Sequence, residues 1–437
     1  MKIYKQPAEL LKNLIRFDTT NPPGNEAACI GYLAGLLEEA GIETKLVAKD
    51  EKRPNLIARL PGDGSAPGLL LQGHVDVVTT ANQQWTHPPF AGIEADSFIW
   101  GRGAVDMKSA VTMMVCTMLR MKAESITPAG DITLCILVDE EAGGNFGACF
   151  LVEEHPYLFD GIKYDIGEFG GFTMYIGGQK FYPIQLAEKL QCQMRLTMRG
   201  PGGHGSMPIT DGAMARLGQV LHDLTSRQPP VHITPVTKMM IEGLADHTGG
   251  STSLILRQLL RPRLAEILLS NTGERLKPFF PLLRNTVSPT IVRGGEKINV
   301  IPSEITLDLD GRMLPGFTPE IMVKEVKAIV GPDIKVEVLE YDPPDDGRLD
   351  MALFSMLAGV LRTLDPDGVP LPYMLPAVSD ARFFARLGIQ HYGFTPLNLP
   401  PDFNFMATVH AVDERVPVEA LQFGAEAMFI ALQRYGH

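Results

Sequence analysis

Two hydrophobic periods divide this chain. Over residues 7–17 and 25–40 apolar side chains recur every three or four positions, which predicts two amphipathic helices, the second stopped by Gly41. TKLVAK, NLIARL and GLLLQGHVDVV read as strands, and the last is a near-continuous apolar run of the kind buried in a parallel sheet. KSAVTMMVCTMLRM predicts a helix and DITLCILV another buried strand. Strand, helix and strand in this order predict an α/β domain, a mostly parallel sheet with helices on both faces. Near residue 190 the period changes to two. LQCQMRLTMRG and INVIPSEITLDLDGRM alternate apolar and polar positions, as half-exposed antiparallel strands do. Helices are expected from Asp211 and over MVKEVKAIVG, and a further strand over IKVEVLEY. The reading is a first domain in two parts, 1–189 and 344–437, interrupted by a small α+β module at 190–343. Within that module the pattern of 230–297 is helix-rich and broken by prolines, and does not resolve into elements. DMALFSMLAGVLRTL returns the chain to helix, and a last helix starts at Val418.

Bulk properties narrow the function. At 437 residues the chain is too long for a single core. Thirty-nine basic against 51 acidic residues leave a net charge of −12 with no long basic run, which argues against nucleic acid or an anionic membrane as the main partner. The opening MKIYKQPAELLKNLIRF interleaves charge with apolar residues, unlike a signal peptide. The longest apolar run, around Ala110 to Leu119, ends at Arg120 and is short for a bilayer. Five widely spaced cysteines without a CxxC read as reduced thiols, so a cytoplasmic protein is expected.

Chemistry concentrates at predicted strand ends. In GHVDVV, His74 closes a buried strand, and Asp76 stands where a carboxylate can orient an imidazole ligand. In WGRGAVDMKSA, Asp106 precedes a helix and could equally be its N-cap; the Asp in place of a third glycine excludes a dinucleotide fingerprint. DITLCILVDEEAGG runs a buried strand into Asp139, Glu140 and Glu141. Crowded acids repel unless a cation neutralises them, and one glutamate can bind metal while its neighbour acts as a base toward water. Glu168 in YDIGEFGGF and His410 in ATVHAVDERV complete the set. Singly each has a bland reading, such as a solvated turn or a structural histidine. Together His74, Asp106, Glu141, Glu168 and His410 offer two imidazoles and three carboxylates. That set suits two zinc ions about 3.5–4 Å apart with one bridging carboxylate.

The ordered motifs GHVDVV, GRGAVDMK, DEEAGG, EFGGF and HAVDER resemble the dinuclear-zinc metallopeptidases. That family includes aminoacylase-1, acetylornithine deacetylase, succinyl-diaminopimelate desuccinylase, and the glutamate carboxypeptidase and carboxypeptidase S types. The likeness runs from TTNPPGNE to HAVDERVP. It implies His74, Asp106, Glu141, Glu168 and His410 as zinc ligands with Asp106 bridging. It also implies Glu140 as general base and Asp76 as support for His74. The inserted module would be a lid and dimerisation domain. Its RGPGGHGSMP would supply His204 to the partner subunit's site, to polarise the scissile carbonyl. Asn299 and Arg312 would hold the substrate carboxylate. GPGGHG also satisfies G-x-G-x-x-G, but its helix starts too late to cradle a phosphate, and the serine of HGSM has no acid–base partner placed for it. One departure touches specificity. AVSDAR, with Asp380 and Arg382, stands where many relatives carry GGTDAR beside the substrate.

The expected protein is a homodimeric amidohydrolase with two zinc ions, cobalt or manganese being able to substitute. It would cut N-acyl amino acids or short peptides that carry a free carboxylate. A narrower dipeptidase or carboxypeptidase is the alternative within the family, and a non-catalytic dimeric binding protein is the alternative outside it.

Overall fold

The computed structural model, which describes residues 2–271, 273–343 and 349–437, alternates strands and helices much as the apolar pattern predicts. The chain forms two units. The first is Met1–Leu186, Asp350–Tyr373 and Ser379–His437; the second is Ala187–Leu349 and Met374–Val378. Residue 344, where the sequence reading resumes the first domain, lies outside the described residues.

A nine-stranded sheet organises the first unit. Its order is Glu43–Ala48, Pro54–Leu60, Ile132–Leu137, Gly68–His74, Ile162–Gly167, Gln390–Gly393, Gln179–Glu188 and Val369–Leu375, with Met174–Ile176 beside Gln179–Glu188. Ile132–Leu137, Gly68–His74, Ile162–Gly167 and Gln390–Gly393 run parallel. The first two strands in the chain are antiparallel additions, because only a short turn joins them and a parallel return needs a crossover. Both faces of the parallel core are covered. Leu70, Cys135 and Leu137 pack with Phe150, Leu151, Phe383 and Phe384. On the opposite parity, Gly73 lies under Met107 and Val111, so closely that a β-carbon there would come within 2.7 Å of Met107. The helix Lys108–Ala123 is buried almost all round, which explains its lack of an amphipathic stripe. Three of the parallel strands run directly into His74, Asp139–Glu141 and Glu168, so their carboxyl ends gather these acids and this imidazole at one edge.

The second unit has a four-stranded antiparallel sheet in the order Thr286–Arg293, Glu304–Met313, Leu190–Arg199 and Lys335–Tyr341. Met194, Leu196, Met198, Leu307 and Leu309 turn inward with Val220 and Leu224 of Ala213–Ser226 and Met322 and Val326 of Pro319–Val330. The single strand expected over INVIPSEITLDLDGRM is two, Val300–Ile301 and Glu304–Met313, separated at Pro302, which has no N–H for a ladder. The stretch that resisted reading contains helices Pro235–His247, Gly250–Leu259 and Pro262–Asn271 before the edge strand Thr286–Arg293. Thr234 caps the first of them by accepting from the Thr237 N–H. Among the described residues no helix is long and apolar enough to cross a membrane.

Candidate metal centre

Two groups of donors converge in the first unit. His74, Asp106 and Glu168 each bring one ligand atom within 4.8 Å of the others, and Asp106, Glu141 and His410 do the same. Asp106 belongs to both. His74 Nε2 is 3.2 Å from one Asp106 oxygen, and His410 Nε2 is 3.2 Å from the other and 3.2 Å from Glu141. The helix after Asp106 begins at Lys108 with Met107 as its N-cap, so Asp106 does not cap it and its carboxylate is free to face the two imidazoles.

The strand-end turns explain this convergence. Gly143 and Gly144 have φ of 103° and 73°, and a β-carbon on Gly144 would come within 2.9 Å of the Asp380 carboxylate, so the glycines of DEEAGG fold the acidic turn back on itself. His74 Nδ1 donates to the Asp76 carbonyl at 2.9 Å, which leaves Nε2 facing the carboxylates. Asp76 accepts from the N–H groups of Glu140 and Glu141, both at 3.2 Å. Thus Asp76 does more than support an imidazole: it also grips the backbone of the acidic turn.

The donor set fits divalent cations. Burial, then the charge of Glu168, pushes the Glu140 carboxyl well above the usual range. Burial likewise raises Glu141 and Glu168 against the opposing pull of their histidine partners. Burial would lower the pKa of His74, but contacts with Asp106, Asp76 and Glu168 outweigh it and raise it well above normal. Asp106 and Glu141 push His410 up to about 10. Buried His74 Nε2, Glu141 Oε1 and Glu168 Oε1 have no hydrogen-bond partner, although they lie among groups that demand one. Divalent cations held by these residues would satisfy both the charge and the orphaned lone pairs. Glu140 lies beside the centre, 3.9 Å from His74 Nε2, and belongs to neither group.

A family model described as peptidase family M20/M25/M40 matches residues 70–434, which include every one of these side chains. The chain belongs to this family. Curated relatives include "Probable carboxypeptidase S-like 2" of Dictyostelium discoideum, 27% identical over 82% of this chain and 69% of that protein. Another is "N-fatty-acyl-amino acid synthase/hydrolase PM20D1" of Bos taurus, 27% identical over 85% of this chain and 75% of that protein. Among solved structures, an M20 family metallo-carboxypeptidase from Sulfolobus solfataricus superposes with a TM-score of 0.71 at 15% identity, covering 99% of each chain. The α/β fold with its mainly parallel sheet is the family's, and the chain is a metal-dependent amide hydrolase.

The remaining predicted site residues are distributed over both units. Asp380 is buried in the first, its carboxyl pushed up to about 8 by burial, and its Oδ2 has no hydrogen-bond partner. Arg382 stacks over Phe383 at 4.6 Å. In the second unit, His204 and Asn299 are neighbours: Gly203–His204 pairs with Val300–Ile301, and the Gly205 N–H donates to the Asn299 carbonyl at 2.8 Å. Ser206 Oγ is 2.7 Å from His204 Nδ1, so the serine does have an imidazole partner, contrary to the sequence reading. The Ser206 N–H points to the same nitrogen at 3.2 Å, and among the described residues no carboxylate pairs with His204. The arrangement is a local turn that leaves His204 exposed. Arg312 is not with them. It forks onto Asp310 at 2.9 and 3.2 Å, eight residues along Glu304–Met313 from its start, or ~27 Å at 3.4 Å per residue.

Two residues that hold the donor loops together escaped the sequence reading although they lie in its motifs. Glu414 of HAVDER is buried and accepts from the N–H groups of Gly103, Val105 and Asp106 at 3.1, 2.7 and 3.1 Å. Arg102 of GRGAVD donates to Glu414 at 2.7 Å and to the carbonyls of Ala411 and His410 at 3.1 and 3.2 Å. This clasp ties the Asp106 loop to the His410 loop. A carboxylate four residues after a candidate ligand and an arginine four before another were the available signals.

Proposed function

We propose that this chain is a dinuclear zinc amidohydrolase that releases an amino acid with a free carboxylate from an N-acyl amino acid or short peptide. The observation that carries the reading is Asp106 shared between two donor groups, with Glu140 3.9 Å from His74 Nε2 and in neither group. His74, Asp106 and Glu168 would hold one ion, and Asp106, Glu141 and His410 the other. When bound, the ions supply Lewis acidity toward the scissile carbonyl and make water more acidic. Glu140 accepts the proton of the attacking water and returns it to the departing amine, a task suited to a carboxylate that lies 3.9 Å from His74 Nε2 and closes neither donor group. Asp76 fixes the His74 ring and the turn that carries Glu140. The named relatives, one carboxypeptidase S-like and one an N-fatty-acyl-amino acid synthase/hydrolase, support a substrate with a carboxylate beside the amide.

The second unit acts as lid and dimerisation domain in this proposal. Arg312 and Asn299 hold the substrate carboxylate, and His204 donates to the developing oxyanion. The placing of His204 and Asn299 at the paired Gly203–His204 and Val300–Ile301, apart from the strand Glu304–Met313 that carries Arg312, supports a site in which His204 and Asn299 come from the partner subunit. Mixing inactive Glu140→Gln with inactive His204→Ala protein should then restore some turnover through hybrid dimers. Subunit exchange without recovery would count against the shared site. The five free cysteines are in keeping with a reducing, cytoplasmic setting.

The direct experiment is to load the protein with zinc and measure amine release from a panel of N-acyl amino acids and dipeptides, with a chelator-treated control. Release that chelation abolishes is expected, and the preferred members define the substrate. Release that survives complete metal removal would overturn the metal mechanism. Tight binding of panel members without any turnover would favour the binding-protein reading.

A further inference from the structure

The acidic turn rests on a buried polar network in which the deciding charge is Arg53. Asp139 does not face the donor groups. It has φ of 71°, and its side chain turns away, with Oδ1 accepting from Arg53 at 2.9 Å and from the Asn21 amide at 3.1 Å, and Oδ2 from the Phe146 N–H at 3.1 Å. Its carbonyl accepts from the N–H groups of Ala142 and Gly144 at 3.2 and 2.6 Å, which closes the turn holding Glu140 and Glu141. The Asn21 amide also donates to Asp76 Oδ2 at 2.8 Å, so its two hydrogens join the two carboxylates that anchor the turn. On its far side Arg53 forks onto Glu26 at 3.0 and 2.7 Å. Asn21, Glu26, Arg53, Asp76 and Asp139 are all at most 5% exposed. Gly24 makes room for the guanidinium: a β-carbon there would sit 2.3 Å from Arg53 Cζ, at a φ of 78°.

Two buried carboxylates, Glu26 and Asp139, therefore share one cation. Remove it, and Asp139 and Glu26 are left uncompensated beside a site already rich in acid, so the turn has reason to reopen toward water. We propose that Arg53, acting through Asp139 and Asn21, is the positioning residue that sets Glu140 and Glu141 for metal binding and turnover. The proposal rests on the dinuclear-centre reading, but it concerns residues that touch neither metal nor substrate.

The test compares wild type, Arg53→Met, Arg53→Lys and Asn21→Ser. Zinc affinity is measured by competition with a chromophoric chelator, alongside kcat, KM and Tm. Arg53→Met should weaken zinc binding and lower kcat, each by about 10–100-fold, with little change in KM. Arg53→Lys should recover part of both, since an ammonium keeps the charge but not the fork between Glu26 and Asp139. Asn21→Ser removes the strap without stranding a charge, and should lower zinc affinity and kcat in a protein that still folds. A lower Tm with zinc affinity and kcat per folded molecule unchanged in Arg53→Met would make Arg53 merely structural and overturn the proposal. Should Arg53→Met fail to fold, wild-type zinc affinity and kcat in Asn21→Ser would overturn it instead. Wild-type protein that binds no zinc would take down the metal-centre reading, an outcome distinct from normal wild-type binding with an indifferent Arg53.

Discussion

Glu140→Gln protein is expected to bind its metals as wild type does and to lose roughly 10²–10⁴-fold in kcat. Glutamine matches glutamate in size and keeps its hydrogen-bonding capacity, but it cannot accept a proton. Glu140 is not among the side chains whose atoms close either donor group, so its substitution removes no ligand from them. A loss of this size corresponds to about 3–5 kcal/mol of transition-state stabilisation, too much for a carboxylate that only shapes the pocket. The measurement is kcat on the best panel substrate beside metal content by elemental analysis. Turnover within about tenfold of wild type would end the base assignment. Loss of metal together with turnover would instead make Glu140 a ligand.

Asp106→Asn should do the reverse and strip the metals. Asp106 reaches both imidazoles at 3.2 Å, one with each oxygen, and no other side chain belongs to both groups. An amide keeps the shape but offers one neutral oxygen in place of two charged ones. Both positions lose a ligand charge at once, and affinity should fall by at least about 100-fold, beyond the range for residues outside the coordination shell. Activity should follow metal occupancy. Two zinc ions retained per chain in equilibrium dialysis, at wild-type affinity, would show that Asp106 bridges nothing. The two variants separate the roles cleanly: one keeps metal and loses the base, the other keeps the base and loses metal.

How much of this was legible depended on how local each signal is. Buried strands announced themselves as continuous apolar runs, and the positions at their ends, His74 and the acids after Leu137, followed from the topology that such strands adopt. The convergence of His74, Asp106, Glu141, Glu168 and His410 could be read as a sum of separately weak clues. Direction could not. Asp139 looks like the first of three equivalent acids, yet a left-handed backbone turns it away from its neighbours and onto Arg53. Arg53 lies in EKRPNL, which has the composition of a surface turn, and its burial depends on Glu26 and on the gap at Gly24. Strand periodicity does not encode the sense of pairing either, and for the first two strands it is the short turn between them that does. In the helix-rich stretch of the second unit, two of the prolines that seemed to break the pattern are helix starts: Pro235 and Pro262 stand at first positions, where a missing N–H is harmless.

The clasp between Arg102 and the loop from His410 to Glu414 has a consequence for biosynthesis. A polypeptide leaves the ribosome from its amino end, and the segments bearing His74, Asp106, Glu141 and Glu168 emerge well before residue 410. The buried group, His74 with Asp106 and Glu168, is thus fully encoded in the unfinished chain, whereas the group that needs His410 is not. Glu414, which holds the backbone of Asp106 in place, arrives later still, just ahead of the terminal helix Val418–Arg434. Until His410 and Glu414 have been made, one of the two donor groups lacks a member and the Asp106 loop lacks its clasp, so a nascent chain cannot yet assemble both groups.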